Sequence, residues 1–206
     1  MHPYNALSIF GQSGSGKTLL GNLIQCQGLG GRSFFHLDLG AQLRTARQKP
    51  EVMTFLDDSD QQVIARVLNE NRLFADDEFP VAEKIFRHYL DSVVGDGSWV
   101  VLNGLPRNFY QAAAVESLVT VKLVVLLECS SADAGIRIAS NIRHERDGRT
   151  DSQPDAVAAR LEIFQRQTMP LLQRYRQTDA RIIEFAVLPE TTPEEIWKVL
   201  NNIRLD

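Results

Sequence analysis

Gly11-Gln12-Ser13-Gly14-Ser15-Gly16-Lys17-Thr18 is the stretch on which the reading of this chain turns. It fits G-x-x-x-x-G-K-[ST] at every fixed position. It follows a short apolar run, Tyr4–Phe10, that reads as a strand, and precedes a helical stretch, Lys17–Cys26. The glycines let successive backbone N–H groups turn inward around phosphate oxygens. The helix behind them adds its positive N-terminal end. Lys17 is then placed to reach β- and γ-phosphates, and the Thr18 hydroxyl to meet Mg²⁺. A glycine-rich turn met by chance has no reason to sit between a strand and a helix. The segment predicts a nucleoside-triphosphate cradle and leaves the phosphoryl acceptor open.

Outward from this loop, strand-like and helix-like segments alternate. Ser33–Leu37, Trp99–Leu102, Leu123–Leu127 and Arg181–Phe185 read as strands. The fully apolar Leu123–Leu127 suits a central parallel strand covered on both faces. Helices are expected over Gln42–Gln48, Asp60–Asn71, Asp77–Val94, Tyr110–Val119 and Ala132–Ile142. A long helical stretch, Asp155–Gln177, is expected to break at Pro170. Thr192-Pro193-Glu194-Glu195 supplies a cap, a first-turn proline and two acids to a last helix ending near Ile203. His144–Pro154 is polar and reads as a loop. The alternation predicts a single α/β domain, a parallel sheet of about five strands flanked by helices.

The arithmetic of the 206 residues narrows the function classes. The chain is 44% hydrophobic and carries a net charge of −4. It is a poor general binder of nucleic acid polymers. No apolar stretch is long enough to span a membrane, and MHPYNALSIF lacks the pattern of a secretory signal, so the expectation is a cytoplasmic protein. Two cysteines make no disulfide framework; Cys26 and Cys129 are expected to be small core residues. Of the 22 basic residues 17 are Arg, and six of those lie between Arg137 and Arg166. Arg grips phosphate bidentately where Lys cannot, yet a solvated helix face would account for the same clustering.

Three further segments stand at set places around the loop: His36-Leu37-Asp38-Leu39-Gly40-Ala41-Gln42-Leu43-Arg44, Asn71-Arg72-Leu73-Phe74-Ala75-Asp76, and Asn103-Gly104-Leu105-Pro106-Arg107 with Gln111 beyond it. With the loop and the Arg-rich stretch, they resemble the nucleoside monophosphate kinases, of which adenylate kinase is the best-known member. The resemblance covers nearly the whole chain. It implies Mg²⁺-ATP as phosphoryl donor, a nucleoside monophosphate as acceptor (AMP by default) and a monomer. Residues 39–76 would form the acceptor-binding insertion and 138–152 a short lid. ATP would be held by Gly11, Ser13, Gly14, Ser15, Gly16, Lys17, Thr18, Leu19 and Arg137. The acceptor would be held by Leu39, Gly40, Arg44, Leu73, Phe74, Asp76, Gly104, Arg107 and Gln111. The catalytic charges would be Lys17, Arg107, Arg143, Arg149 and Arg160, with Arg146 an alternative to Arg143. Gly148-Arg149-Thr150-Asp151 matches the lid motif, and Arg160 follows Arg149 by eleven residues, the family spacing. Such a lid would close over the site and exclude water.

The chain departs from the family at three carboxylates. Ala41, Asn103 and Ser152 stand where the family has Asp. Mg²⁺ prefers hard, charged oxygen ligands, so Asn103 is the most consequential. Asp38, at the C-terminal end of the second strand, is the carboxylate expected to compensate. Leu39 stands where adenylate kinases often have Thr, so the acceptor base is left open. Two other readings remain: a P-loop kinase of a small non-nucleotide metabolite, and a degenerate kinase-like nucleotide-binding protein.

Overall fold

The computed structural model describes residues 4–93, 97–141 and 154–205. Five strands form one sheet: β1 (Tyr4–Gly11), β2 (Phe34–Asp38), β3 (Trp99–Asn103), β4 (Val119–Glu128) and β5 (Arg181–Ala186). All pairings are parallel and the order is β2-β3-β1-β4-β5. The helices are α1 (Lys17–Gln27), α2 (Leu39–Gln48), α3 (Asp58–Asn69), α4 (Phe79–Val93), α5 (Phe109–Glu116), α6 (Ser131–Ser140), α7 (Pro154–Ile163), α8 (Met169–Tyr175) and α9 (Pro193–Asn201). A parallel sheet of five strands flanked by helices is the expected α/β architecture.

Both faces of the sheet are covered, as its apolar strands require. Alternation along the central strands divides the core in two. Ala6, Phe10, Val124 and Leu126 face α2–α5 and α8. Leu7, Ile9, Leu123, Val125 and Leu127 face α1 and α9. Because the strands are parallel, all five C-terminal ends lie on one edge, where open α/β sheets bind ligands. The glycine-rich loop leaves β1 at that edge. β2 and β3 also end there, with Asp38 and Asn103 in register as neighbours.

Local signals set most helix ends. Thr192 and Glu195 form a capping box at the start of α9, and Asp57 and Asp60 form one at the start of α3. The second box begins α3 at Asp58, earlier than the expected Asp60. Gly28, at φ 69°, ends α1 and donates its N–H to Ile24 O.

Three expectations need correction. The helix expected to reach Val119 stops at Glu116, and β4 starts at Val119, so the central strand is ten residues long. Val119 and Val121 are buried against the first core cluster, which rewards extending the strand. The helix expected to break at Pro170 does not break. A π-helical turn, Phe164–Thr168, widens the backbone just before it, and α8 continues from Met169. The wider turn accommodates a proline that lacks an N–H and crowds the preceding turn. Cys26 is exposed, not a core residue, and Cys129 is half-buried. Among the described residues no helix is long and apolar enough to cross a membrane.

One close approach locks α1 onto the sheet. A Cβ at Gly21 would lie 2.3–2.6 Å from the His36 ring. That ring is buried and held by Asn22 through Nδ1, at 2.9 Å. Gly21→Ala should therefore destabilise the fold despite improved helix propensity, by about 1–3 kcal/mol of overpacking. Thermal unfolding of the variant checks this; an unchanged or raised Tm would show that His36 yields.

Candidate active site

The glycine-rich loop is built from both ends. Gly14 and Gly16 take φ values of 86° and 92°, in the left-handed region. These conformations turn N–H groups toward one point. A Cβ on Gly14 would also press against Ala134 O and Ile138 of α6, at 3.0 Å. Gln12, at a variable position of the motif, anchors the loop. Its Nε2 donates to Cys129 O and Ser130 O at the end of β4. Lys17 Nζ donates to Gln12 O at 2.7 Å. Gly11 and Ser15 are buried beneath the loop, and Leu19 is partly buried behind it without lining the cleft.

Arg137 reaches the loop from α6. Its Nε donates to Gly14 O at 3.0 Å, and its Nη1 to the carbonyls of Leu188, Pro189 and Thr191. The guanidinium thus bridges the phosphate loop and the segment after β5.

Beside the loop lies a knot of oxygens. Thr18 Oγ1 donates to Asp38 Oδ2 at 2.7 Å, and Asn103 Nδ2 donates to the same oxygen at 2.9 Å. Asn103 Nδ2 also lies 3.2 Å from Thr18 Oγ1. The other oxygen, Asp38 Oδ1, accepts from Ala41 N and caps α2. Burial pushes the Asp38 carboxyl up. The hydrogen bonds from Thr18 and Ala41, with the charges of His36 and Arg44, outweigh it and hold the group below the usual carboxylate range. Asp38 is therefore ionised at neutral pH. A hydroxyl and a carboxylate side by side are the hard oxygen donors that Mg²⁺ takes, so the residues present fit the metal.

Across the cleft stand the arginines. Gly40 leaves room for Arg44, whose Nη1 would lie 3.3 Å from a Cβ there. Arg107 lies behind Gly104, which sits at φ 92°. Its Nε donates to Gly104 O, and its backbone is held on both sides. Gln111 Oε1 accepts from Arg107 N at 2.8 Å, and Thr168 Oγ1 donates to Arg107 O at 3.0 Å. Burial in the cleft lowers the Arg107 guanidinium to about 10; the charge of Arg160 adds to this and Asp38 opposes it. Arg107 and Arg160 line the same cleft as the phosphate cradle.

The structure brings Ser13, Gly14, Gly16, Lys17, Thr18, Asp38, Leu39, Gly40, Arg44, Leu73, Phe74, Gly104, Arg107, Gln111 and Arg160 to one cleft. Gln111 is buried there, so the alternative of a surface helix residue is set aside. Asp76 is exposed and does not line the cleft. Arg143, Arg146, Arg149, Thr150, Asp151 and Ser152 lie outside the described residues. Several lining residues escaped the sequence reading. Asn71, at φ 50°, receives a hydrogen bond from Arg160 Nη2 through its Oδ1. Arg72 is clamped by Glu78 with N–O distances of 2.6 and 2.9 Å. Leu43, Val67 and Phe164 add apolar wall. Only the i, i+6 spacing of Arg72 and Glu78 was available in sequence, and it matches no helical pairing.

A phosphate loop at the edge of a sheet ordered β2-β3-β1-β4-β5 defines a P-loop nucleotide-binding protein. Comparison with known proteins goes further. The chain is 30% identical over 176 residues to an adenylate kinase of Synechococcus sp. (strain WH7803), spanning 82% of this chain and 84% of that one. It is 26% identical over 172 residues to UMP-CMP kinase 1 of Oryza sativa subsp. japonica, spanning 82% of this chain and 62% of the rice protein's length. A shorter match to an adenylate kinase of Xylella fastidiosa (strain M12) is 38% identical over 82 residues, 37% of this chain and 43% of that protein. No family model matches. The chain belongs to the nucleoside monophosphate kinase family.

The Arg72–Glu78 pair gives the fold a measurable acid dependence. The hydrogen bond from Arg72 draws the Glu78 carboxyl from 4.5 down to about 2, against the opposing effect of burial. A depressed carboxyl stabilises the fold above its unfolded pKa, and that contribution is lost as pH falls from 4.5 to 2. Glu78→Gln should cost about 1–3 kcal/mol at pH 7, as for hydrogen bonds to charged groups. Denaturant unfolding should show the difference from the parent disappearing near pH 2; an undiminished difference there would refute the assignment.

Proposed function

We propose that the chain transfers the γ-phosphoryl group of ATP to the phosphate of a nucleoside monophosphate, with AMP the default acceptor. The observation that carries this reading is that a glycine-rich loop and three arginines line one cleft. The glycine-rich loop with Lys17 and Thr18 takes the polyphosphate of the donor. Arg44, Arg107 and Arg160, which line the same cleft, take the phosphate of the acceptor. The relatives named adenylate kinase, at 30% identity over 176 residues against 26% for the UMP-CMP kinase, support AMP as the default.

The chemistry follows from positioning and charge. An oxygen of the acceptor phosphate, already ionised, attacks the γ-phosphorus. The bond to the β–γ bridging oxygen breaks, and ADP leaves with that electron pair. No general base is needed. Lys17 and the loop N–H groups stabilise charge on the donor side. Arg107, fixed by Gln111 and Thr168, holds the attacking phosphate in line. Mg²⁺, when bound with ATP, neutralises phosphate oxygens during transfer. Residues 39–76, with Leu39, Leu73, Phe74 and Gln111, form the acceptor side in this reading, and 138–152 the lid.

Incubation with Mg²⁺-ATP and a panel of AMP, CMP, UMP and GMP, following ADP and nucleoside diphosphate together, tests the proposal. One monophosphate should give ADP in equal amount to its own diphosphate. ATP binding without turnover of any monophosphate would overturn it and favour the degenerate or metabolite-kinase readings. Arg107→Gln should lower kcat about 10²–10³-fold, the effect of removing one transition-state donor, while nucleotide-binding titrations show ATP affinity retained. A large loss of ATP affinity would move Arg107 to the donor side.

A further inference from the structure

The geometry points to Asp38 as the carboxylate of the metal site, supplied from β2 in place of the residue at the end of β3. The inference rests on the proposed function only for ATP as the nucleotide. P-loop enzymes hold Mg²⁺ between the loop Ser or Thr and an acidic residue. At the end of β3 this chain has Asn103, which carries no charge. One strand over, Asp38 stands in register with it, and the two side chains touch at 2.9 Å. Asn103 is a donor in that contact, so it serves the carboxylate and does not compete with it. The Thr18 hydroxyl gives its proton to Asp38 Oδ2. A hydroxyl has one proton and two lone pairs, so spending the proton on Asp38 leaves lone pairs for a cation. Two carboxylates at this distance would repel; one carboxylate and one amide do not. The negative charge has thus moved one strand, and Asn103 has become its positioning residue.

Helix capping by Asp38 Oδ1 is the competing account, and charge separates the two. Asn caps helices as well as Asp does, so Asp38→Asn keeps the cap and removes the charge. The exchange Asp38→Asn with Asn103→Asp returns the charge to β3 with the hydrogen bond reversed. The probe is Mn²⁺ with a non-hydrolysable ATP analogue, followed by electron paramagnetic resonance, alongside analogue binding in EDTA. Asp38→Asn should weaken Mn²⁺ in the complex about 10–100-fold, the range for residues that orient metal ligands. Metal-free analogue should bind no worse, because a negative charge beside the phosphates is gone. The double exchange should recover most of the Mn²⁺ affinity. Unchanged Mn²⁺ affinity in Asp38→Asn, equal weakening with and without metal, or no recovery in the exchange would each overturn the inference. The readout needs no turnover: Asp38-dependent Mn²⁺ binding without monophosphate phosphorylation would sink the kinase reading and leave this one standing.

Discussion

Asp38 uses both oxygens to hold three segments at one point. One oxygen caps α2 through Ala41 N, and the other takes the Thr18 hydroxyl and the Asn103 amide. The start of α2, the end of the phosphate loop and the tip of β3 are thereby tied together. A partly buried carboxylate survives only when its charge is compensated by hydrogen bonds and nearby cations. Here the donors come from all three segments.

Around that anion, positive charge is sorted by what it meets. Arg166, Arg174 and Arg176 pair with Glu162, Glu116 and Glu184 at 2.6–2.9 Å on partly or fully exposed surface. Exposed pairs of this kind contribute little. Arg107 is different: its side chain meets a backbone carbonyl, and the neighbouring charge of Arg160 is repulsive. Among the described residues the exposed Arg66, Arg87, Arg166 and Arg176 lie against glutamates, whereas Arg44, Arg107 and Arg160 line the cleft.

The legible parts of the fold were those set by near neighbours in the chain. The capping box at Thr192 and Glu195, the glycines of the loop and the apolar run of β4 act within a few residues, and each appeared where expected. Pro170 misled because its penalty was read alone. The π turn Phe164–Thr168 absorbs it, and that turn also puts Phe164 in the cleft wall and Thr168 under Arg107. The anchoring roles of Gln12 and Gln111 were illegible for a related reason. Their partners, Cys129 and Ser130 in one case and the Arg107 backbone in the other, depend on the folded path of the chain.

By itself the sequence determined the phosphate loop and the alternation of strand and helix. These follow from motif spacing and from periodicity, which are properties of adjacent residues. Only the tertiary structure decided that Asp38 and Asn103 share a hydrogen bond, that Gln111 is buried behind Arg107, and that Asp76 stays outside the cleft. Strand order and register bring together side chains 65 residues apart, and a linear motif carries no information about which of two neighbouring strands ends in the charge.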